Sequence, residues 1–402
     1  MNESAMHPSQ SIRGAKGLRL SGRKIVLGIT GSIAAVECVE LARELIRHGA
    51  EVHAVMSKEA LKIITPCSME FATGNPVTTD IDGRVQHVTL LGDTPDKADL
   101  LLIAPCTANT LSKMACGIDD TPVTTMATIA IGSKVPVLIA PAMHASMYEN
   151  PLVQRNLRTL QEIGIGTVGP RFEGGKAKIA DNDHIVGEVL RKLGDHTYDG
   201  KKVLVIGGSS EEAIDDMRIV TNKGTGETAV ELARAAYEKG AEVDLWMGRC
   251  TVPIPNFIST RRFTTVQELV EMIDCADHDL VILPAALSDF GPVPSKGKVP
   301  SEKDGLKLEL KALPKVLPLL RRKGVKIVGF KAESGVGNAK LAKKAADRCR
   351  QSGADAMVAN DLKDVRAGCT KVMFIRGEKV IPIEGSKSKV ANEILNLSRC
   401  ML

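Results

Sequence analysis

Two short apolar runs, each ending in Ala-Pro, constrain this chain more than any other feature. They are Asp99-Leu-Leu-Leu-Ile-Ala-Pro-Cys-Thr-Ala-Asn109 and Val135-Pro-Val-Leu-Ile-Ala-Pro-Ala-Met-His144. A run that is apolar on both alternating faces is a parallel strand covered on both sides, and the polar residues after it land at the carboxyl edge of a sheet. Open α/β sheets bind their ligands at that edge. The rest of the chain reads as support for this edge or as a second copy of the arrangement.

Upstream, Lys24-Ile-Val-Leu-Gly-Ile-Thr-Gly-Ser32 reads as a strand and a glycine turn, followed by a helix from Ile33 to His48. Small residues at Gly28, Thr30, Gly31 and Ser32 let amides and hydroxyls approach a phosphate. Many β-α turns carry such residues for geometry alone, and this is not the G-x-G-x-x-G dinucleotide pattern. Glu51 to Ser57 is a second strand ending in a hydroxyl, Asn150-Pro151 opens another helix, and Ile185 to Leu193 is the last helix of this half. Gly169 to Asp183 has no period and reads as a mobile loop or flap. At Lys201 the opening is repeated as Lys-Lys-Val-Leu-Val-Ile-Gly-Gly-Ser209. A helix at Thr228–Lys239, a strand at Glu242–Met247, a helix at Val266–Ala276 and a strand at Asp279–Pro284 follow in doubly wound order. Next come a loop rich in Pro, Lys and Gly at 291–305, strands near 306 and 326, a strand at Ala356–Ala359 and a hairpin at Lys371–Ile383. A chain of 402 residues fits two domains. The expected layout is a flexible extension at 1–20, a first domain at 21–194, a linker at 195–200 and a second domain at 201–402.

Composition removes several function classes. Aromatic residues make up only 3%, too few for the stacking platforms that bind single-stranded nucleic acid. The net charge of +5 is spread without a long basic run and reads as a solvated mixed surface. Nine cysteines form no CxxC pair and no zinc spacing, which suits reduced thiols in a cytoplasmic protein. No apolar run reaches the length of a membrane span, and the first twenty residues lack the apolar core of a secretion signal.

Taken together, the corner motifs carry a resemblance. Gly-x-Thr30-Gly31-Ser32-Ile-Ala-Ala, His87, Ala104-Pro105-x-Thr107-Ala-Asn109-Thr, Pro141-Ala-Met143 and Asn150-Pro-x-x-Gln154-x-Asn156 resemble the flavin-containing cysteine decarboxylases. Thr221-Asn222-Lys-Gly-Thr-Gly226, Ala285-Ala286-x-x-Asp289-Phe290, Lys298-Val-Pro-Ser301, Gly329-Phe330-Lys-Ala-Glu333 and Ala359-Asn-Asp361 are similar to phosphopantothenate–cysteine ligases. In this order they match the bifunctional coenzyme A biosynthetic proteins over almost the whole chain after residue 20. The implied fold is α/β, with an N-terminal flavodoxin-like (Rossmann-like) flavoprotein domain and a C-terminal doubly wound ligase domain.

For the first half the resemblance implies FMN, held without a covalent link by Thr30, Gly31, Ser32 and Ser57 at phosphate and ribityl groups, and lined by Ala104, Pro105, Thr107, Asn109 and Met143. In that family the cysteinyl thiol of phosphopantothenoylcysteine is oxidised, carbon dioxide leaves, and the electrons return to give 4'-phosphopantetheine with no net redox change. His87 matches the active-site histidine, whose near-neutral pKa suits proton handling at a thiol. A lone histidine without such a match would be an ordinary surface or core residue. The usual Pro-Ala-Met-Asn ends here in His144, which still donates a hydrogen bond. The flap's common Ala-Cys-Gly is replaced by Lys176-Ala177-Lys178. Lys176 or Lys178 is the expected substitute proton donor. A cysteine from elsewhere, such as Cys106 or Cys116, and impaired reduction are the alternatives.

For the second half the resemblance implies that CTP, with Mg2+, activates 4'-phosphopantothenate as an acyl-cytidylate and that cysteine displaces CMP. Asn222 would handle the acyl-nucleotide, Arg218 would grip a phosphate or carboxylate, and Lys298 would clamp the triphosphate. Gly207, Ser209, Ala286, Asp289, Phe330 and Lys340 complete the expected nucleotide and substrate contacts. No metal-ligand residues are assigned. Homo-oligomerisation, as a dodecamer with flavin sites between subunits, is also implied, with no nucleic-acid or membrane partner. Two rival readings remain: a decarboxylase of peptides ending in cysteine, which leaves the second domain without a purpose, and an FMN-binding regulatory or scaffold paralogue with impaired decarboxylation.

Overall fold

The computed structural model describes residues 7–299, 307–321, 324–364 and 369–402. The chain divides into two compact units, Met1–Leu193 and Gly194–Leu402.

The first unit is built on five parallel strands in the order Glu51–Met56, Lys24–Ile29, Leu100–Cys106, Val137–Pro141 and Gly166–Thr167. Leu100, Leu101, Leu102 and Ile103 are all fully buried, which accounts for the unbroken apolar run. Leu100 and Leu102 pack on one face with helices Cys38–Arg47 and Asn182–Lys192, whereas Leu101 and Ile103 pack on the other with Ala108–Ala115 and Pro122–Gly132. Strand order reverses between Lys24–Ile29 and Leu100–Cys106, so the loops leaving these two strands diverge and open a crevice between them.

Four expectations need correction. The segment before residue 20 is not a free extension from His7 onward. It forms a short helix at Pro8–Ser11, buries Leu20, and donates from Gly14 N to Ile46 O (3.1 Å) and from Lys16 N to Arg47 O (2.9 Å). Both carbonyls end helix Cys38–Arg47; Ile46 O also accepts from Gly49 N, whereas Lys16 N supplies the partner for Arg47 O, so the segment is tied to the helix terminus. The helix expected from Ile33 is a 3-10 turn at Ile33–Glu37 followed by Cys38–Arg47. The aperiodic flap is a hairpin, Arg171–Glu173 with Lys176–Lys178, joined by Gly174 and Gly175 at φ +56° and +68°. Two left-handed residues are what a tight two-residue hairpin demands, and strands of three residues are too short to show a period. The linker at 195–200 is packed rather than free, because Tyr198 is fully buried and its hydroxyl donates to Leu395 O at 2.7 Å.

The second unit has an eight-stranded sheet in the order Ser259–Arg262, Glu242–Met247, Lys202–Gly207, Leu280–Leu283, Lys326–Glu333, Ala356–Asp361, Thr370–Arg376 and Lys379–Gly385. The first six strands are parallel, and the last two add an antiparallel hairpin. Order again reverses beside the first strand of the unit, between Lys202–Gly207 and Leu280–Leu283. Two small ribbons stand apart from the main sheet: Glu211–Ala213 with Ile219–Thr221, and Phe290–Pro292 with Leu310–Ala312. The strand expected near 306 is this Leu310–Ala312 segment; Ser301, Gly305 and residue 306 itself lie outside the described residues.

Candidate functional site

In the first unit a cavity of about 560 Å³ opens at the reversal point. Gly31, Ser32, Ser57, Thr107, Asn109 and Met143 line it, together with Ala108, Ala142 and the Lys113–Asp120 ion pair. Ser32 accepts from Ala34 N and Ser57 from Ala60 N, so each hydroxyl uses a lone pair to cap the following turn and keeps its proton for a ligand. At Gly31 an added Cβ would fall 2.4 Å from Cβ of Glu59, so only glycine lets the two loops meet.

Three expected cofactor contacts act from behind this wall. Thr30 is 1% exposed, and its hydroxyl donates to Pro105 O (2.7 Å) while accepting from Thr107 N (3.1 Å). Its side chain is therefore spent on holding the corner and is not presented to a phosphate. Ala104 and Pro105 are buried within the same corner, and the Ala104 carbonyl accepts from Cys38 Sγ. Burial pushes the Cys106 thiol up to about 12, which leaves it protonated and unsuited to rapid exchange. Cys116, at the C-terminus of helix Ala108–Ala115, is exposed.

His87 does not line the cavity. It sits on helix Gln86–Leu91, half-buried, with Nδ1 enclosed and lacking a partner among the described residues. The helix begins after Val85 at φ +46°, a left-handed conformation that costs a β-branched residue roughly 1–3 kcal/mol. The flap hairpin joins strand Met143–His144, with Met143 opposite Ala177 and His144 opposite Lys176. Alternation along the strand puts buried Ala177 on the face of Met143, and Lys176 and Lys178 on the face of His144. Lys178 Nζ is engaged by Glu173 at 2.9 Å. Neither lysine lines the cavity that Met143 faces.

The second unit has two adjoining cavities at its own reversal point, of about 330 and 630 Å³. They share Lys223, Gly224, Ala285, Ala286 and Phe330. Asn222 and Asp289 line the larger one. Asn222 Nδ2 donates to Ala286 O at 2.9 Å, its amide oxygen has no partner among the described residues, and Asp289 is paired with Lys315. Gly208, at φ +75°, lines the smaller cavity. Gly207 lies just behind, where a Cβ would sit 2.0 Å from that of Ala229 and force strand and helix apart. Ser209 is fully buried and bridges to Ala286 and Arg249, so it builds the edge without facing a ligand. Arg218 is not free to grip a ligand phosphate with Nη1, which donates to Asp215 (2.5 Å) and Val299 O (3.2 Å). Lys298 and Lys340 are exposed and line neither cavity.

Residues not singled out from sequence also stand here. Glu227 and Lys387 form an ion pair on the smaller cavity, and Arg348 lines the larger one without a carboxylate partner among the described residues. Helix Asn338–Ser352 could have been found from Leu341, Ala345, Cys349 and Ser352, buried at four- and three-residue spacing.

A flavoprotein family model matches residues 14–194, and a model of the DNA/pantothenate metabolism flavoprotein C-terminal domain matches residues 198–399. The coenzyme A biosynthesis bifunctional protein CoaBC of Thermococcus kodakarensis is 48% identical over 367 residues, covering 89% of this chain and 90% of that one. The chain belongs to the CoaBC family. The CoaBC protein of Methanocaldococcus jannaschii is 37% identical over 398 residues, covering 97% of this chain and 96% of its own. Among solved structures, the FMN-dependent cysteine decarboxylase SpaF is 32% identical, with a TM-score of 0.39, over 43% of this chain and 98% of that one. The chain is thus a bifunctional enzyme of coenzyme A biosynthesis, in which a flavoprotein decarboxylase domain precedes a ligase domain. Among the described residues no helix is long and apolar enough to cross a membrane.

Proposed function

We propose that the second unit ligates cysteine to 4'-phosphopantothenate at the expense of CTP, and that the first unit then decarboxylates the product to 4'-phosphopantetheine with FMN. One observation carries this reading: in each unit several motif residues, among them Ser32, Ser57, Thr107 and Asn109 in the first and Asn222, Asp289 and Phe330 in the second, line a cavity at the point where strand order reverses.

The 560 Å³ cavity suits a flat ring that carries a phosphate. Small side chains at Ala108 and Ala142 leave room for the ring, while Ser32, Ser57, Thr107 and Asn109 offer donors to phosphate and ribityl oxygens. Bound FMN would supply the redox chemistry that makes loss of carbon dioxide possible and returns the electrons afterwards. Thr30 fixes the corner that carries Thr107 and Asn109. His87 would move the thiol proton. Because it stands outside its own unit's cavity, it acts at a neighbour's, in a homo-oligomer such as a dodecamer. Lys176 and His144, which share the strand face opposite that of Met143, would likewise act at a neighbour's cavity, Lys176 as the proton donor in place of the flap cysteine of relatives and His144 at the substrate carboxylate.

In the ligase unit the amide needs a leaving group on the carboxylate, and transfer of CMP from CTP provides it with release of pyrophosphate. Asn222 would hold the acyl-nucleotide through its amide oxygen, Asp289 and Phe330 the nucleoside, and Lys298 the triphosphate. Mg2+ would enter on the triphosphate oxygens, the hard anionic ligands that this ion takes from its substrate. Product mass analysis with CTP, 4'-phosphopantothenate and cysteine tests both halves. Phosphopantetheine, CMP, pyrophosphate and carbon dioxide are expected; no mass change overturns the reading.

A second reading, an FMN-binding protein with impaired decarboxylation, is favoured by Ala177, which sets a methyl group on the Met143 face of the flap. It requires yellow protein that accumulates phosphopantothenoylcysteine.

A further inference from the structure

The turn between strands Glu211–Ala213 and Ile219–Thr221 contains a saturated carboxylate. Asp215 is 4% exposed; one of its oxygens accepts from Met217 N (2.8 Å) and Arg218 N (2.7 Å), and the other from Arg218 Nη1 (2.5 Å) and Val299 N (3.1 Å). Arg218 Nη1 also donates to Val299 O at 3.2 Å. Both peptide groups of Val299 are therefore held by one ion pair. Four residues earlier, Ser295 N donates to Ile214 O at 2.9 Å, on the same turn. Between these ties lie Lys296, Gly297 and Lys298, with Gly297 at φ +73° turning the chain back. Lys296 and Lys298 are exposed and have no carboxylate partner among the described residues. The strand that leaves the turn, Ile219–Thr221, runs directly into Asn222.

We propose that Asp215 and Arg218 are positioning residues of the ligase, fastening a three-residue lysine arch to the turn that also sets Asn222, so that Lys298 meets the nucleotide phosphates already ordered. The inference rests on the ligase reading above, in which Lys298 binds the triphosphate. The physical reason is entropic. A lysine on a free loop must lose backbone and side-chain freedom when it binds an anion, whereas an arch tied at both ends has already lost most of the backbone share. The pin also sets the distance between Asn222 and Lys298, the proposed handles on the acyl and phosphate ends of one intermediate.

The test is ligase kinetics on the full chain with CTP varied, and with decarboxylation of supplied phosphopantothenoylcysteine as a control for intact protein. Arg218→Ala is expected to raise KM for CTP about tenfold with kcat changed less than about threefold, the pattern of lost binding without lost chemistry. Arg218→Lys, which keeps one donor for Val299 O, should restore most of the affinity. Lys298→Ala should cost at least as much as Arg218→Ala, and the double variant no more than Lys298→Ala alone, because a pin acting through Lys298 has nothing to act on once it is gone. Val299→Pro removes one tie without touching the ion pair and should shift KM in the same direction; it carries the test if Arg218→Ala does not fold. Multiplying effects in the double variant, or a fall in kcat at unchanged KM, overturns the inference while leaving the ligase reading in place. An unchanged KM in Lys298→Ala refutes the triphosphate role of Lys298 and the inference with it.

Discussion

Replacing Thr30 by valine tests how the flavoprotein corner is held. Valine keeps the shape and branching of threonine, so neither packing nor backbone preference changes much, and the hydroxyl alone is removed. Two groups then lose their partner: the buried Pro105 carbonyl, now bonded at 2.7 Å, and Thr107 N at 3.1 Å. A buried polar group left without a partner costs about 1–3 kcal/mol, and Thr107 N, being only partly buried, falls toward the lower end or recruits water. The sum is about 2–4 kcal/mol, and for a unit of this size each kcal/mol moves the midpoint by about 2–4 °C, so the expected fall is about 4–16 °C. Thr30→Ser, which retains the oxygen, should lose much less. The assay is thermal unfolding of the flavoprotein unit followed by flavin fluorescence, with bound flavin counted per chain at each step. Thr107 begins the segment that carries Asn109, so Thr30→Val should also release flavin at lower temperature than wild type. A Thr30→Val protein with wild-type midpoint and full flavin content would refute the claim that this hydroxyl holds the corner.

Three further outcomes are expected. Asp215 is held at about 2 against an ordinary 3.8, chiefly by the Met217 amide, so its stabilisation is complete above pH 4 and is lost as pH falls toward 2. Acid titration of Asp215→Asn should accordingly show a ligase unit that is weaker near neutrality and loses less between pH 4 and 2; equal slopes would contradict the assigned bonds. In native protein at pH 8, iodoacetamide should label exposed Cys116 and spare Cys106, whose thiol at about 12 is ionised to about one part in ten thousand; equal labelling would mean that the corner opens readily. Lys176→Ala should slow formation of 4'-phosphopantetheine about a hundredfold or more, the scale of a lost general acid, whereas Lys178→Ala, whose ammonium is spent on Glu173, should cost less. If both variants release full amounts of reduced product, no flap lysine supplies the proton.

Much of the architecture was written in local pattern. Runs such as Leu100–Ile103 and Val203–Ile206 are apolar at every position, a property only of strands covered on both faces, and the glycine and hydroxyl residues after them mark the binding edge. The Lys387–Arg399 helix and the flap hairpin were not read, the hairpin because two three-residue strands leave no period. Tertiary structure alone decided what each small residue does. Thr30 and Ser32 are two positions apart in one motif, yet one hydroxyl is consumed inside the corner and the other faces a cavity, because the end of strand Leu100–Cys106 brings the Pro105 carbonyl to Thr30. Arg218 likewise reads as an anion grip, but one nitrogen of its guanidinium, Nη1, is taken by Asp215 and by Val299, the latter 81 residues downstream. Sequence determines which groups a segment carries to the sheet edge; which of them remain unspent depends on hydrogen bonds to distant segments, and those exist only once the chain has closed on itself.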